Sequence, residues 1–151
     1  MRSYVVLFVS VAAITLILTG VALAATIKCT GGECQGTNMR DTLYGTPVND
    51  IIFGNGDNDH LYGGGGMDSL KGGPGNDRQY GSVGDDRVKG GPGSDTLYGG
   101  DGNDIMRGGL HNRTNDGAPD VINCGAGRDT VYFTPGVDTI NGCEIRNPST
   151  P

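Results

Sequence analysis

The chain has 151 residues, 29 of them glycine, and a formal net charge of −6 at pH 7. That acidity argues against nucleic acid as a main partner and suits a cation. Trp is absent, aromatics make up 6% of the residues, and glycine far exceeds the typical ~7%, which excludes a thick conventional core.

At the N-terminus, Arg2 precedes a run from Tyr4 to Thr19 that is almost wholly apolar, and Ala22-Leu23-Ala24 supplies a small-x-small site. These features predict a signal peptide over residues 1–24, cleaved after Ala24. The rival is an uncleaved anchor, because no charge lies between Arg2 and Lys28 and the run is long enough to span a bilayer. The Ala-Leu-Ala site favours cleavage and a secreted, extracellular chain with no membrane segment left. Residues 25–35 follow as an N-terminal cap carrying Cys29 and Cys34.

From Gly36 to Arg107 the chain divides into nine-residue units without a gap: GTNMRDTLY, GTPVNDIIF, GNGDNDHLY, GGGGMDSLK, GGPGNDRQY, GSVGDDRVK, GGPGSDTLY and GGDGNDIMR. Place six is always aspartate: Asp41, Asp50, Asp59, Asp68, Asp77, Asp86, Asp95 and Asp104. Place eight is apolar at Leu43, Ile52, Leu61, Leu70, Val88, Leu97 and Met106, with Gln79 as the exception. An insertion at 108–114 breaks the register. Residues 115–151 then hold three degenerate units with Asp120, Asp129 and Asp138, followed by a C-terminal cap.

Glycines early in each unit allow a tight turn of six residues, and the last three residues suffice only for a short strand. Neighbours in a strand face opposite ways, so place eight points inward and places seven and nine outward. Place nine alternates. Tyr44, Tyr62, Tyr80 and Tyr98 interleave with Phe53, Lys71, Lys89 and Arg107. Two units therefore make one coil, and each residue stacks on the one eighteen later at the usual strand separation of ~4.8 Å.

The units resemble the hemolysin-type, or repeats-in-toxin (RTX), calcium-binding nonapeptide G-G-x-G-x-D-x-U-x. The stretch DHLYGGGGMDSLKGGPGND, Asp59 to Asp77, carries the long form, and the likeness runs from Gly36 to Asn141. It implies an all-β fold: a parallel β-roll, a right-handed β-helix-like solenoid with two nonapeptides per coil. It also implies calcium ions held between stacked turns, which share their aspartates and turn carbonyls.

On that reading Asp59, Asp77 and Asp95 line one edge, and Asp50, Asp68, Asp86 and Asp104 the other. Carboxylates ~5 Å apart repel by roughly 0.8 kcal/mol even in water, so without a cation the edges oppose folding. Calcium takes six to eight oxygens in a flexible cage, which suits carboxylates and carbonyls together. The carbonyl candidates are Gly63, Gly64, Gly72, Gly73, Gly75, Gly90, Gly91, Gly93, Gly99 and Gly100. About four calcium sites are expected, between units 54–62, 72–80 and 90–98 on one edge and 63–71, 81–89 and 99–107 on the other. Asp41, Asp50, Asp120, Asp129 and Asp138 are secondary candidates, because their turns lack the full glycine set. Thr37, Met39, Thr46 and Val48 stand in place of glycines in the first two. Magnesium fits less well because it demands tight octahedral geometry, and an all-oxygen set disfavours zinc.

All four cysteines lie outside the regular array. Of the three pairings, Cys29–Cys34 and Cys124–Cys143 are preferred as disulfides closing the two ends of a solenoid. A zinc site is the rival, but no His has the spacing for it. His60, His111 and the sequon Asn112-Arg113-Thr114 have ordinary readings as isolated surface features, and Asp85 as a solvated neighbour of Asp86. No nucleophile–base set or metalloprotease motif is present, so no enzyme is expected. The alternative function is an extracellular adhesion or matrix module. It would hold a polysaccharide or an anionic polymer through the tyrosine ladder or through Lys71, Arg87, Lys89 and Arg107. The plainer readings of those ladders are cross-strand pairing and a solvated face.

Overall fold

The computed structural model describes residues 24–109 and 117–148. The expected signal peptide (apart from Ala24), His111 and the sequon lie outside the described residues. In chain order the strands are β1 (Thr26–Lys28), β2 (Gly32–Gln35), β3 (Thr42–Tyr44), β4 (Asp50–Phe53), β5 (His60–Gly65), β6 (Ser69–Lys71), β7 (Arg78–Val83), β8 (Arg87–Lys89), β9 (Thr96–Asp101), β10 (Ile105–Arg107), β11 (Val121–Ala126), β12 (Thr130–Phe133), β13 (Thr139–Asn141) and β14 (Ile145–Pro148). Among the described residues there is no helix. The odd strands form one seven-stranded sheet in chain order and the even strands another, with every pairing parallel. This is a parallel β-roll with two nonapeptides per coil.

The register follows the repeat. Tyr44 pairs with Tyr62, Tyr62 with Tyr80, and Tyr80 with Tyr98. Across the insertion the partners are Thr96–Val121 and Ile105–Thr130, so neither sheet is interrupted. The extra length falls between β10 and β11. Gly108 stands in place one of the turn after β10, since its carbonyl accepts the Gly91 N–H at 2.9 Å, as the Gly90 carbonyl accepts the Gly73 N–H at 3.0 Å.

The core is one side chain deep. The repeat strands contribute their place-eight residues, and Leu43, Ile52, Leu61, Leu70, Val88, Leu97, Met106, Ile122 and Val131 are fully buried between the sheets. Gln79 is buried among them, and its Nε2 donates to the Lys89 carbonyl at 2.8 Å across the core. That bond satisfies half of the amide, while Oε1 has no partner. A core so thin cannot compress the turns, so what holds them must lie in the turns themselves.

Both disulfides join the expected cysteines, Cys29–Cys34 and Cys124–Cys143. The cap at 25–35 supplies β1 and β2, the first strand of each sheet, and its disulfide ties them together. On the outer face of the odd sheet, Tyr44, Tyr62, Tyr80 and Tyr98 stack with ring centroids 4.7 to 4.9 Å apart and nearly parallel planes. On the even sheet Lys71, Lys89 and Arg107 form a row, and Arg107 lies over the Tyr132 ring at 4.3 Å.

Candidate metal centre

The coil places every sixth residue at a corner, where strand and turn meet, and stacks the corners into two ladders. In each rung the aspartate N–H donates to Oδ1 of the aspartate one coil on. One ladder runs Asp41, Asp59, Asp77, Asp95, Asp120 and Asp138, with distances of 2.8 to 3.1 Å. The other runs Asp50, Asp68, Asp86, Asp104 and Asp129, all at 2.8 Å. From Asp41 to Asp129 none of these residues is more than 3% exposed. A carboxylate this deep needs compensation for both oxygens.

Oδ1 is compensated by the backbone, but Oδ2 in most rungs is not. In Asp59, Asp68, Asp77, Asp86, Asp104 and Asp129 it is buried with no hydrogen-bond donor. In all but Asp129, whose turn begins with Cys124, it points beneath the place-one glycine of its own turn. A Cβ on Gly72 would stand 2.1 Å from Asp77 Oδ2, so the carboxylate fits only because that residue is glycine.

Places two and four aim carbonyls from coil to coil. Gly73 and Gly75 hold φ of 111° and 142°. A Cβ at either would lie 2.1 Å from the carbonyl oxygen one coil back, Asn55 O or Asp57 O. The Gly73 and Gly75 carbonyls in turn face Gly91 and Gly93. Of the other carbonyl candidates, Gly72 and Gly90 each accept an N–H from the preceding coil at 3.0 Å, and Gly63 and Gly99 abut the place-one glycines Gly45 and Gly81. Gly64, Gly91 and Gly100 all have positive φ, as Gly73 does; the Gly100 carbonyl meets Gly125, and Gly93 repeats the place of Gly75.

Among the described residues, no three His, Cys, Asp or Glu side chains converge on one point. A cation at these corners would therefore draw on carbonyls as well as carboxylates, all of them hard oxygens. That donor set fits calcium and does not fit zinc. The orphaned Oδ2 atoms are where such an ion would act.

Electrostatics agree. Burial pushes Asp59 and Asp86 up to about 7 and Asp77 and Asp104 up to about 6; neighbouring carboxylates add to this, and the ladder N–H opposes it. Burial also raises Asp68 and Asp129. These folded values lie above the ~3.9 of an unfolded aspartate, so the metal-free fold binds protons that the unfolded chain releases. Its stability from these groups is full below about pH 3.9 and is lost as pH rises through 6 to 7. In chelator, the strand signal in circular dichroism is expected at pH 4.5 and is expected to fade by pH 8. A metal-free signal that strengthens with rising pH would contradict this assignment.

Some residues at the site lie outside the G-G-x-G-x-D-x-U-x consensus. Glu144 ends the second ladder by accepting the Asp129 N–H at 3.0 Å. A shallower ladder runs through place five: Asn58 Oδ1 accepts from Asn76 N, Asn76 Oδ1 from Ser94 N, and Asp85 Oδ1 from Asn103 N, at 2.6 to 2.9 Å. Asp85 thus stands in for an asparagine. The recurring Asn at place five was the available clue.

A family model, the RTX calcium-binding nonapeptide repeat, matches the chain in four stretches: residues 35–70, 62–78, 80–112 and 116–142. Comparison with curated proteins and with solved structures found no match.

Proposed function

The chain belongs to the RTX calcium-binding nonapeptide-repeat family, and on that premise we propose that it is a secreted scaffold that binds several calcium ions along its two aspartate edges and folds as they bind. One observation carries the proposal: six buried Oδ2 atoms face no donor, at Asp59, Asp68, Asp77, Asp86, Asp104 and Asp129. A metal-free fold with six such atoms ionised is expensive, and calcium removes the cost. Ions between successive turns would draw on Asp59, Asp77 and Asp95 with the Gly73, Gly75, Gly91 and Gly93 carbonyls on one edge. On the other they would draw on Asp68, Asp86 and Asp104 with the Gly64 and Gly100 carbonyls. Export is supported by the N-terminal apolar run and by two disulfides, which persist in oxidising compartments. A scaffold role is favoured over an enzyme because the buried carboxylates are committed to the ladders.

Equilibrium dialysis at pH 7.5 tests the binding. Several calcium ions per chain are expected, undisplaced by a tenfold excess of magnesium. Absence of bound calcium, or equal binding of magnesium, would refute it.

A second role is favoured by the outer face of the even sheet. A groove of about 330 Å³ is lined there by Phe53, Lys71, Arg87, Lys89, Ile105 and Arg107. Burial draws the Lys89 amine down, and the Lys71 and Arg107 charges add to the effect. A cationic row along the solenoid axis of an acidic protein suits a linear carboxylated or sulfated polysaccharide. Lys71→Gln with Lys89→Gln should abolish retention on such a polymer at low salt; unchanged retention would exclude this face.

A further inference from the structure

Three turns compensate their carboxylate without any cation, those of the buried Asp41 and Asp50 and of the half-buried Asp138. Thr37, in place two, donates both its N–H and its hydroxyl to Asp41 Oδ2, at 2.5 and 2.8 Å. Thr46 does the same for Asp50 Oδ2, at 2.6 and 2.8 Å. The Thr134 N–H donates to Asp138 Oδ2 at 2.6 Å. The first two hydroxyls also accept the place-four N–H, from Met39 at 3.2 Å and Val48 at 3.3 Å, which locks the turn. Asp41 is satisfied at both oxygens, because Ala25 N donates to its Oδ1 at 3.0 Å. Asp50 keeps Oδ1 without a donor, since no earlier rung stands on that edge.

Six other turns differ at one torsion. Asn55, Gly64, Gly73, Ser82, Gly100 and Gly125 occupy place two with φ between 85° and 122°. Their turns belong to the six aspartates whose Oδ2 has no donor. Positive φ swings the place-two N–H away from the carboxylate; those of Asn55 and Gly73 go to the next coil's place-one carbonyl instead, each at 3.0 Å. None of Thr37, Thr46 and Thr134 has positive φ. A β-branched residue adopts that region only at high cost, so threonine keeps its N–H turned inward.

We propose that the place-two residue decides whether a turn takes a cation. A residue at positive φ leaves the carboxylate oxygen open to calcium, and threonine closes it with its own amide and hydroxyl. The inference rests on the calcium reading above and goes beyond it. The turns of Asp41, Asp50 and Asp138 take no ion, and the first coil, stacked on the segment closed by Cys29–Cys34, completes a preformed metal-free cap. The calcium-dependent coils stack on that cap from Asp59 onward.

Thr46→Gly with Val48→Gly turns Gly45–Asp50 from GTPVND into GGPGND, the hexapeptide of Gly72–Asp77. Native mass spectrometry is expected to count one more calcium ion on this variant than on the wild-type chain. The reciprocal exchange, Gly73→Thr with Gly75→Val, is expected to lose at least one. Hydrogen exchange on the wild-type chain in chelator gives a readout free of metal: the Thr37 and Thr46 amides stay protected while the Gly73 and Gly100 amides exchange. An unchanged count in the glycine variant, or uniform exchange in chelator, overturns the switch while leaving the calcium reading intact. A wild-type chain that binds no calcium overturns both.

Discussion

Asp77→Asn is expected to weaken calcium binding by at least ~10–100-fold at the positions Asp77 shares, the cost already seen for losing an outer-shell partner of a metal. Asp77 lies mid-ladder, between Asp59 and Asp95, so its loss touches the ion on either side. Asparagine keeps an acceptor for the Asp59 N–H and replaces the bare, charged Oδ2 with a neutral amide nitrogen. The variant should therefore fold better than the wild-type chain in chelator at pH 8, because burial already holds Asp77 up to about 6 and favours a neutral group there. Asp41→Asn is expected to leave the ion count unchanged, since Thr37 and Ala25 fill both oxygens of Asp41. Calorimetric titration of the two variants, with urea midpoints in chelator, checks the pair. Equal loss of calcium in both would undo the site assignment.

Gly75→Ala is expected to be strongly destabilising for the addition of a single methyl group. The residue holds φ 142°, and its Cβ would meet Asp57 O at 2.1 Å. The torsion alone costs about 1–3 kcal/mol, and the collision is with backbone, which cannot swing aside. Gly117 provides the comparison: its φ is 81° but a Cβ there meets nothing within 4 Å among the described residues. Gly117→Ala should cost only the torsional part, about 1 kcal/mol. Urea midpoints in saturating calcium separate the two. Similar midpoints would mean that the coils do not stack as closely as described.

Much of the architecture was legible because the repeat is strict. Aspartate at every ninth residue and tyrosine at every eighteenth set the coil length, and the apolar eighth place identified the core residues down to the anomaly at Gln79. The chemistry of individual oxygens was not legible. Spacing places Asp59 and Asp77 on one edge, but it does not say that Oδ1 is taken by a backbone N–H and Oδ2 left bare. Thr37 and Thr46 read in sequence as the loss of a glycine, hence as damage to a turn. In the folded chain they add two donors to a buried carboxylate, which a residue-type pattern cannot express. Glu144 escaped notice because it follows Asp129 by fifteen residues, out of the eighteen-residue step, and carries a longer side chain.

On the proposed function, calcium and the coils order together from a cap that is already formed. A calcium titration of residues 25–151 at pH 8, followed by far-ultraviolet circular dichroism from a chelated start, tests it most directly. The expected result is a weak residual strand signal from the first coil, rising cooperatively to the full β-roll signal as calcium is added and falling again on chelation. A full strand signal in chelator at that pH, unaltered by calcium, would contradict the account.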